Sequence, residues 1–244
     1  MVLILFILVS LTGLLEGQTG CVAAPQGLSA WFTFDEEIFR QPGEHRPQLV
    51  PGRVGHALRF NGKDQYFEIP STTPGFDAGE DDFTIELWIR TADSGHTRNI
   101  VDKRDHRPVG YLIFLQGGGH AGFQVDNELV DGNIARSANI ADNHWHHVAG
   151  VVQRLPLAHL GIYVDGFKQP ETSLRNASLA NLDVATPLWL GRHHANKQVD
   201  RENIYFEGEI DELSFYHRAL TAAEILSIYR AASHGKCRPG KSGR

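Results

Sequence analysis

Hydrophobic residues along the chain alternate with polar ones or form short runs, and Gly, Pro, Asn and Asp separate these runs. The pattern is typical of many short β-strands and not of long helices. It predicts about a dozen strands of about six residues each, enough for two packed sheets. The predicted strands cover residues 28–34, 56–60, 65–69, 83–90, 99–103, 110–116, 121–125, 145–153, 159–164, 167–172, 187–191 and 204–216.

Two dipeptides between these segments have the composition of tight turns. Asn61-Gly62 and Asp165-Gly166 tolerate positive φ at low cost, so we expect each to join two antiparallel neighbours in a hairpin. Residues 87–89 and 148–152 have little polar interruption, which predicts central strands that are covered on both faces.

One segment near the C-terminal end has a helical pattern. Apolar residues of the segment 221–232 fall largely on one face, and Thr221 with Glu224 three residues later is a capping box. Gly235 is expected to end this helix region. Residues 233–244 are small, basic and rich in glycine, which predicts a flexible tail.

The N-terminal residues 1–15 carry no charged side chain and are mostly Val, Leu, Ile and Phe. The apolar run ends at Glu16, which makes it shorter than the roughly 20 residues that span a bilayer. We therefore predict a signal peptide over residues 1–24, cut after the small residues Ala23 and Ala24, with a signal-anchor as the alternative. Both alternatives predict an extracytoplasmic, secreted or cell-surface protein.

The sequence contains two cysteines, Cys21 and Cys237. Three interpretations stay open for them. The segment 18–21 is similar to a lipobox, in which Cys21 would carry a lipid anchor, although Gln18 stands where Leu is usual. The two cysteines are alternatively joined in a disulfide, as an oxidising compartment permits, or are unpaired thiols without a role.

Composition narrows the number of domains and the class of partner. The chain has 244 residues, a length at which a β-sandwich is commonly one domain, here predicted over residues 25–232. With 23 basic and 29 acidic residues the net charge is −6, so no large cationic surface is expected and nucleic acid is excluded as a partner. A membrane would be reached only through a lipid or a signal-anchor.

Seven segments, in order, resemble laminin-G-like domains of the concanavalin A-like lectin/glucanase superfamily. The resemblance implies an all-β fold, a two-sheet antiparallel jelly-roll sandwich with one short C-terminal helix, in which the first and last strands are neighbours. The superfamily hosts lectins, carbohydrate-binding modules, adhesion domains and hydrolases, so the resemblance does not fix the function. We predict a non-catalytic binding module for carbohydrate or for a surface or matrix protein. The segments are residues 30–35, 55–62, 65–70, 83–89, 145–149, 162–166 and 208–220.

The same resemblance implies a structural calcium ion. Its ligands would be Asp35 and Asp211, together with backbone oxygens near Asn61 and Gly62. Calcium takes six to eight oxygen ligands in flexible geometry, which two carboxylates and a tight turn can supply in part. The alternative is that Asp35 and Asp211 form only turn and strand hydrogen bonds.

A laminarinase-type glycoside hydrolase is the main alternative function. Retaining hydrolysis requires two carboxyl groups about 5 Å apart on one face. Glu209 and Asp211 share a face of their strand, but Leu213 follows on that face and Glu212 is expected to point to the other. Catalysis is therefore not expected. A purely structural domain that assembles through a sheet edge is the third hypothesis.

Other polar groups are weaker candidates for a site. His144 and His146 are spaced to chelate a metal from one face, but a structural role for this segment is favoured. Asn176 begins a glycosylation sequon that matters only in a eukaryotic secretory host. The loops proposed to contact a ligand are residues 93–98, 105–107 and 193–201.

Overall fold

A computed structural model describes residues 20–36, 39, 43–107, 109–127, 130–154, 159–170, 172–173, 180–193 and 205–238. These described residues form fifteen β-strands, one α-helix and a short 3-10 turn. The strands are β1 (Leu28–Phe32), β2 (Gln48–Pro51), β3 (His56–Asn61), β4 (Phe67–Ile69), β5 (Phe83–Arg90), β6 (Arg98–Arg104), β7 (Gly110–Gln116), β8 (His120–Asn127), β9 (Val130–Asn139), β10 (Trp145–Gln153), β11 (His159–Val164), β12 (Phe167–Lys168), β13 (Thr172–Ser173), β14 (Leu188–Leu190) and β15 (Glu207–Tyr216). The helix is α1 (Ala222–Ala231), and the 3-10 turn is Ala232–His234.

The strands form two antiparallel sheets. The nine-stranded sheet has the order β12-β11-β10-β5-β15-β3-β2, with β1 beside β15 and β13 beside β11. The six-stranded sheet has the order β4-β14-β6-β7-β8-β9. β1 pairs with residues 213–216 of β15, and β3 pairs with residues 207–210 of the same strand. The predicted jelly-roll sandwich is confirmed, and its first and last strands are neighbours.

The core lies between the two sheets. In β5, Phe83, Ile85 and Leu87 alternate toward this core and are fully buried. The opposite face of β5 is also buried, because α1 and the C-terminal segment cover it: Glu86 is 0% exposed and Trp88 is 2% exposed. The prediction of a central strand at residues 87–89 is therefore confirmed. We call this covered side the outer face of the nine-stranded sheet.

Helix α1 has the predicted capping box. The Thr221 side chain accepts a hydrogen bond from the Glu224 backbone N–H, and the Glu224 carboxylate accepts from the Thr221 backbone N–H at 2.8 Å. The buried face of the helix, with Ile225 and Ile228, packs on the outer face beside Tyr216. This packing fixes the helix against the sheet.

The prediction of a flexible tail from residue 233 is wrong for residues 233–238. Lys236 is only 4% exposed, and Cys237 is joined to Cys21 by a disulfide with 4.9 Å between the Cα atoms. The segment is ordered because the disulfide and a buried ion pair hold it on the sheet. Residues 239–244 lie outside the described part of the chain.

The N-terminal end of the described chain lies beside this segment. The Val22 backbone N–H donates to Gly235 O at 2.9 Å, and the Cys237 N–H donates to Val22 O at 2.7 Å. The predicted domain start at residue 25 is therefore too late, since Cys21 and Val22 are bonded to the fold. Residues 1–19 lie outside the described residues. Within the described chain, no helix is both long and apolar enough to cross a membrane.

One of the two predicted hairpins forms. Asp165 and Gly166 have φ values of 53° and 81°, and Val164 pairs with Phe167 across them. Asn61-Gly62 is not a hairpin turn, because β3 pairs with β2 and β15, whereas β4 pairs with β14 in the other sheet. The turn instead carries the chain from one sheet to the other.

Candidate functional site

A cluster of aromatic side chains lies at the edge of the six-stranded sheet. Tyr66 is at its centre, with ring centroids 5.3 Å from Trp189, 6.4 Å from Tyr205 and 6.0 Å from His45. The Arg192 guanidinium lies over two of these rings, 4.8 Å from the centroid of Tyr66 and 4.9 Å from that of Trp189. We call these five residues the aromatic platform.

The strand pattern explains why this platform is accessible. Leu188 and Leu190 of β14 point into the core and are 1% and 0% exposed, so Trp189 between them points away from it. Tyr66 directly precedes the edge strand β4, and Tyr205 forms an isolated bridge with Arg192 just after β14. Tyr66, Trp189, Tyr205 and Arg192 are partly exposed, and His45 is exposed.

Two nitrogen donors of the platform lack an acceptor. In the described part of the chain, neither Arg192 Nε nor Trp189 Nε1 has a hydrogen-bond partner, although solvent does not reach either atom. A buried polar group without a partner costs free energy, and such groups are uncommon in folded proteins. A partly exposed aromatic surface with a guanidinium over its rings has the chemistry of a ligand-binding surface.

A cleft of about 490 Å³ lies at the same end of the sandwich. It is connected to the platform through the start of β15, where Phe206 packs on Phe60 with ring centroids 6.0 Å apart. Of the three predicted ligand loops, residues 93–98 border this cleft through Asp93. The cleft is lined by Arg59, Phe60, Arg90, Thr91, Ala92, Asp93, Asn143, Glu207, Gly208 and Glu209.

The other two predicted loops do not add to this site. The polar groups of the loop 105–107 are used in local hydrogen bonds, since Asp105 Oδ1 accepts from the Arg107 and Val109 backbone N–H groups. Of the loop 193–201, residues 194–201 lie outside the described residues, as does the sequon residue Asn176.

Glu209, the first carboxylate of the hydrolase hypothesis, is occupied by two arginines in the cleft floor. Its Oε1 accepts from Arg59 Nε at 2.8 Å, and its Oε2 accepts from Arg90 Nε at 2.6 Å. Arg90 also lies over the Trp145 ring, 5.2 Å from its centroid. With both oxygens in ion pairs and the residue 4% exposed, neither oxygen of Glu209 is free to act on a substrate.

The structure corrects the expected direction of Glu212. A β-bulge shifts the β15 register between Asp211 and Ser214, and Glu212 at the bulge has a φ of 56°. The bulge turns Glu212 to the same outer face as Asp211, where its Oε2 accepts from Trp31 Nε1 at 3.0 Å. Both carboxylates are buried, with Asp211 0% and Glu212 1% exposed.

Glu212 belongs to a buried ionic cluster that the C-terminal segment closes. Lys236 Nζ lies 2.9 Å from Glu86 Oε1 and 3.4 Å from Glu212 Oε2. His147 Nε2 lies 2.9 Å from Glu86 Oε2. Burial alone would raise the pKa of Glu86, but Lys236 and His147 outweigh it and hold the pKa at about 2. We call Glu86, His147, Glu212 and Lys236 the buried ionic cluster.

The predicted calcium ligands are split between the two ends of β3. Asp35 Oδ1 accepts from the His56 N–H and Asp211 Oδ2 from the Val54 N–H, each at 2.9 Å, so both carboxylates border the turn before β3. Asn61 closes the opposite end of the strand, five residues beyond His56, or roughly 16 Å away at strand geometry.

The four predicted residues therefore do not fit one calcium ion. Asn61 Oδ1 is already used by the Lys63 and Asp64 backbone N–H groups, and Asp35 Oδ2 is paired with Arg238. Asp211 Oδ1 is buried without a partner among the described residues, and burial raises the pKa of this carboxyl to about 8. Within the described ranges, no group of three or more His, Cys, Asp or Glu side chains is placed to hold a metal.

The histidines of the segment 144–147 have separate roles. His147 is fully buried against Glu86, as the structural interpretation of this segment predicts. His146 instead bridges two carboxylates, with Nδ1 2.8 Å from Asp165 Oδ2 and Nε2 3.0 Å from Asp142 Oδ1. The hydrogen bond to Asp165, together with Asp142, raises the pKa of His146 above its usual value.

Sequence reasoning did not identify the aromatic platform. Its members are far apart in sequence, from His45 to Tyr205, and they are brought together by the pairing of β4 with β14 and by the Arg192–Tyr205 bridge. One signal was available, because Leu188 and Leu190 in the predicted strand 187–191 imply an outward-facing tryptophan between them. A single outward tryptophan does not predict a cluster.

Comparison with known proteins agrees with this architecture. A botulinum-like toxin, eBoNT/J, from Enterococcus sp. (strain 3G1_DIV0629) is 24% identical over 192 residues, which is 74% of this chain and 14% of the toxin. This chain thus spans about one seventh of the length of that relative.

Two solved structures have similar folds at low sequence identity. The binding domain of Paraclostridial Mosquitocidal Protein 1 has a TM-score of 0.57 and 21% identity, covering 88% of this chain and 48% of that one. The second structure is domain 4 of AbnA, a GH43 extracellular arabinanase from Geobacillus stearothermophilus, in complex with arabinotriose. It has a TM-score of 0.58 and 17% identity, and the match covers 82% of this chain and 97% of that one. At these identities the likeness establishes the fold alone.

The family is established by a match over most of the chain. The laminin G profile of the concanavalin A-like lectin/glucanases superfamily matches residues 61–226, which include strands of both sheets and the first half of α1. The chain is therefore a member of the concanavalin A-like lectin/glucanases superfamily, with a laminin-G-like jelly roll.

Proposed function

We propose that this protein is a non-catalytic carbohydrate-binding module and that the aromatic platform is its binding surface. The observation that carries the proposal is the grouping of Tyr66, Trp189 and Tyr205 as partly exposed rings at one sheet edge. Aromatic faces pack against the apolar faces of sugar rings, while neighbouring polar groups fix their orientation. The similar arabinanase domain was solved with arabinotriose, which supports the same ligand class.

The test is glycan binding by matched aromatic variants. A glycan array that includes arabinotriose identifies a ligand, and calorimetry then compares Tyr66→Ala and Trp189→Ala with the wild type. Removing one stacking ring costs about 1 kcal/mol or more, so we expect at least about a fivefold loss of affinity. Phe167→Ala is the matched control, since Phe167 is an exposed aromatic (63%) on the other sheet.

The proposal is overturned if the two platform variants bind as the wild type does while their circular-dichroism spectra remain native. Binding of no glycan on the array also overturns it. A surface or matrix protein is the second candidate partner, and it is favoured by the exposed Phe167 at the β11–β12 turn. A partner docked there would lose affinity in Phe167→Ala and keep it in Tyr66→Ala.

The absence of catalysis is part of the proposal. Glycoside hydrolysis requires an accessible carboxylic acid beside a second carboxyl group. Glu209 is paired with two arginines, and Asp211 and Glu212 are buried beneath other segments. We expect no release of reducing ends from β-glucans by the wild type, and release that disappears in Glu209→Gln would contradict this.

An extracytoplasmic location is supported by the Cys21–Cys237 disulfide, which is stable in oxidising compartments. This bond uses the sulfur that lipidation of Cys21 would require. The apolar residues 1–15 and the similarity to an extracellular arabinanase domain support the same location. Mass spectrometry of the mature protein tests the disulfide, since a lipid on Cys21 would exclude it.

Calcium stays a prediction for the turn between Asp35 and Asp211. The unpartnered Asp211 Oδ1 supports it. Calcium should raise the melting temperature of the wild type and leave the melting temperature of Asp211→Asn unchanged. Equal melting temperatures of the wild type in calcium and in chelator would contradict the prediction of a calcium site.

A further inference from the structure

We infer that the aromatic platform selects glycans that carry acidic sugars, with Arg192 as the residue that recognises the negative charge. This inference rests on the proposed carbohydrate-binding function and names the chemical class of its ligand. It starts from the electrostatic environment of one side chain. Arg192 is partly exposed, and its guanidinium lies over the rings of Tyr66 and Trp189.

Among the residues that the structure describes, no acidic group neutralises the charge of Arg192. No hydrogen bond or ion pair in the described chain joins its guanidinium to an acceptor, and its Nε is buried without a partner. Glu68 on β4 is opposite Trp189 in the strand register, yet it forms no ion pair with Arg192 among the described residues. By contrast, the arginines of the neighbouring cleft, Arg59 and Arg90, are both paired with Glu209.

The missing partner defines the ligand group. The Arg192 guanidinium is partly exposed and has only hydrogen-bond donors, so a group that pairs with it must supply acceptor oxygens. A carboxylate or sulfate only accepts hydrogen bonds and carries the charge that a guanidinium pairs with best. A sugar packed against the exposed part of the platform would bring an acidic substituent close to Arg192, whose guanidinium lies over the Tyr66 and Trp189 rings. Neutral sugars offer hydroxyl acceptors but leave the positive charge uncompensated.

The experiment uses the full chain and a glycan array of matched pairs. The pairs are oligouronates with their carboxyl-reduced counterparts, sialylated glycans with desialylated ones, and sulfated glycans with desulfated ones. Calorimetry then compares both members of the best-bound pair. We expect the wild type to bind the acidic member about tenfold or more tightly, as for a charge-assisted hydrogen bond, with the preference reduced by added salt. The carboxylated and sulfated pairs distinguish the two sources of charge.

Arg192→Gln should bind both members of the pair with similar affinity. Arg53→Gln is the matched control, because the Arg53 guanidinium lies 4.9 Å from the Trp88 ring centroid and its Nε is also buried and unpaired, but on the nine-stranded sheet. It should keep the wild-type preference. Circular dichroism and thermal melting show whether each variant is folded, and Arg192→Met, which keeps an apolar stem without the charge, repeats the test if the Gln variant is not.

Equal affinity of the wild type for acidic and neutral members overturns this inference, and so does an unchanged preference in a folded Arg192 variant. If the preference for acidic glycans is absent but Tyr66→Ala still abolishes binding of neutral glycans, the acidic-glycan inference is wrong and the carbohydrate-binding proposal is retained. Binding of no glycan on the array overturns both.

Discussion

Lys236 is the buried side chain on which the outer face of the nine-stranded sheet depends. It lies between Glu86 and Glu212, and all three are almost fully buried. Removing one partner of a buried ion pair leaves an uncompensated charge, which costs about 3–5 kcal/mol. We expect Lys236→Met to be destabilised by about this amount in chemical denaturation. The double variant Lys236→Met/Glu86→Gln should recover part of the lost free energy of unfolding. If the single and double variants are equally destabilised, the pairing of Lys236 with Glu86 is contradicted.

The same cluster predicts how stability changes in acid. The pKa of Glu86 is held at about 2, below its ordinary value of 4.5. A lowered carboxyl pKa stabilises the fold above the unfolded-state value, and this contribution is lost as pH falls from about 4.5 toward 2. Denaturation midpoints measured across this range should fall in the wild type. The denaturation midpoint should fall less in Glu86→Gln than in the wild type. If the midpoints of the two proteins fall in parallel, groups other than Glu86 cause the loss of stability in acid.

His146 predicts a second pH effect of opposite sign. Its pKa is raised by Asp165 and Asp142, so the protonated form is stabilised in the fold. This contribution is complete below about 6.5, the ordinary value, and is lost as pH rises through the raised pKa. Melting temperatures of His146→Asn should show a weaker decline above pH 6 than the wild type. His106→Asn is the control, since His106 is exposed and forms no ion pair among the described residues, and it should behave as the wild type does.

Among the structural elements, α1 offers the clearest test of a sequence signal. Thr221 caps the helix through the Glu224 backbone N–H, and loss of such a cap costs about 1 kcal/mol. Thr221→Ala should lower the free energy of unfolding by this amount. Ser227→Ala, in the middle of the same helix, should be neutral or slightly stabilising because Ala is the best helix former. A neutral Thr221→Ala would show that the cap contributes little.

The elements that the sequence pattern predicted share strong local signals. β5 and β10 have nearly continuous apolar segments, α1 has a capping box, and the β11–β12 turn has a dipeptide that adopts positive φ. The pattern missed β2 and β9, because β2 has only four residues, β9 is interrupted by polar residues, and both lie at sheet edges. Edge strands are held by pairing with a neighbour, and this is not encoded in their own sequence.

The candidate site was less predictable than the fold for a related reason. The bulge that turns Glu212 to the outer face leaves no composition signal in β15, because Glu212 is not a residue type that favours positive φ. The aromatic platform likewise depends on the pairing of β4 with β14, which sequence spacing does not reveal. Both features arise from contacts between distant segments, whereas the strand pattern arises from neighbours in sequence.

For the whole molecule, the disulfide joins residues that are 216 positions apart in sequence. Closing so long a loop reduces the entropy of the unfolded chain, and removing a native disulfide typically costs about 2–5 kcal/mol. We expect the double variant Cys21→Ser/Cys237→Ser to melt at a lower temperature than the wild type. A reducing agent should lower the melting temperature of the wild type to that of the variant. It should leave the melting temperature of the variant unchanged. Identical melting of both proteins without reductant would contradict this.

The position of that disulfide also determines how the protein responds to proteolysis. Because Cys21 and Cys237 enclose nearly the whole described chain, a protease that nicks any loop between them leaves both fragments covalently attached. Such a nicked molecule would migrate as one band on a non-reducing gel and separate into pieces only after reduction. In an environment rich in proteases, cleavage of a loop would therefore not release part of the domain.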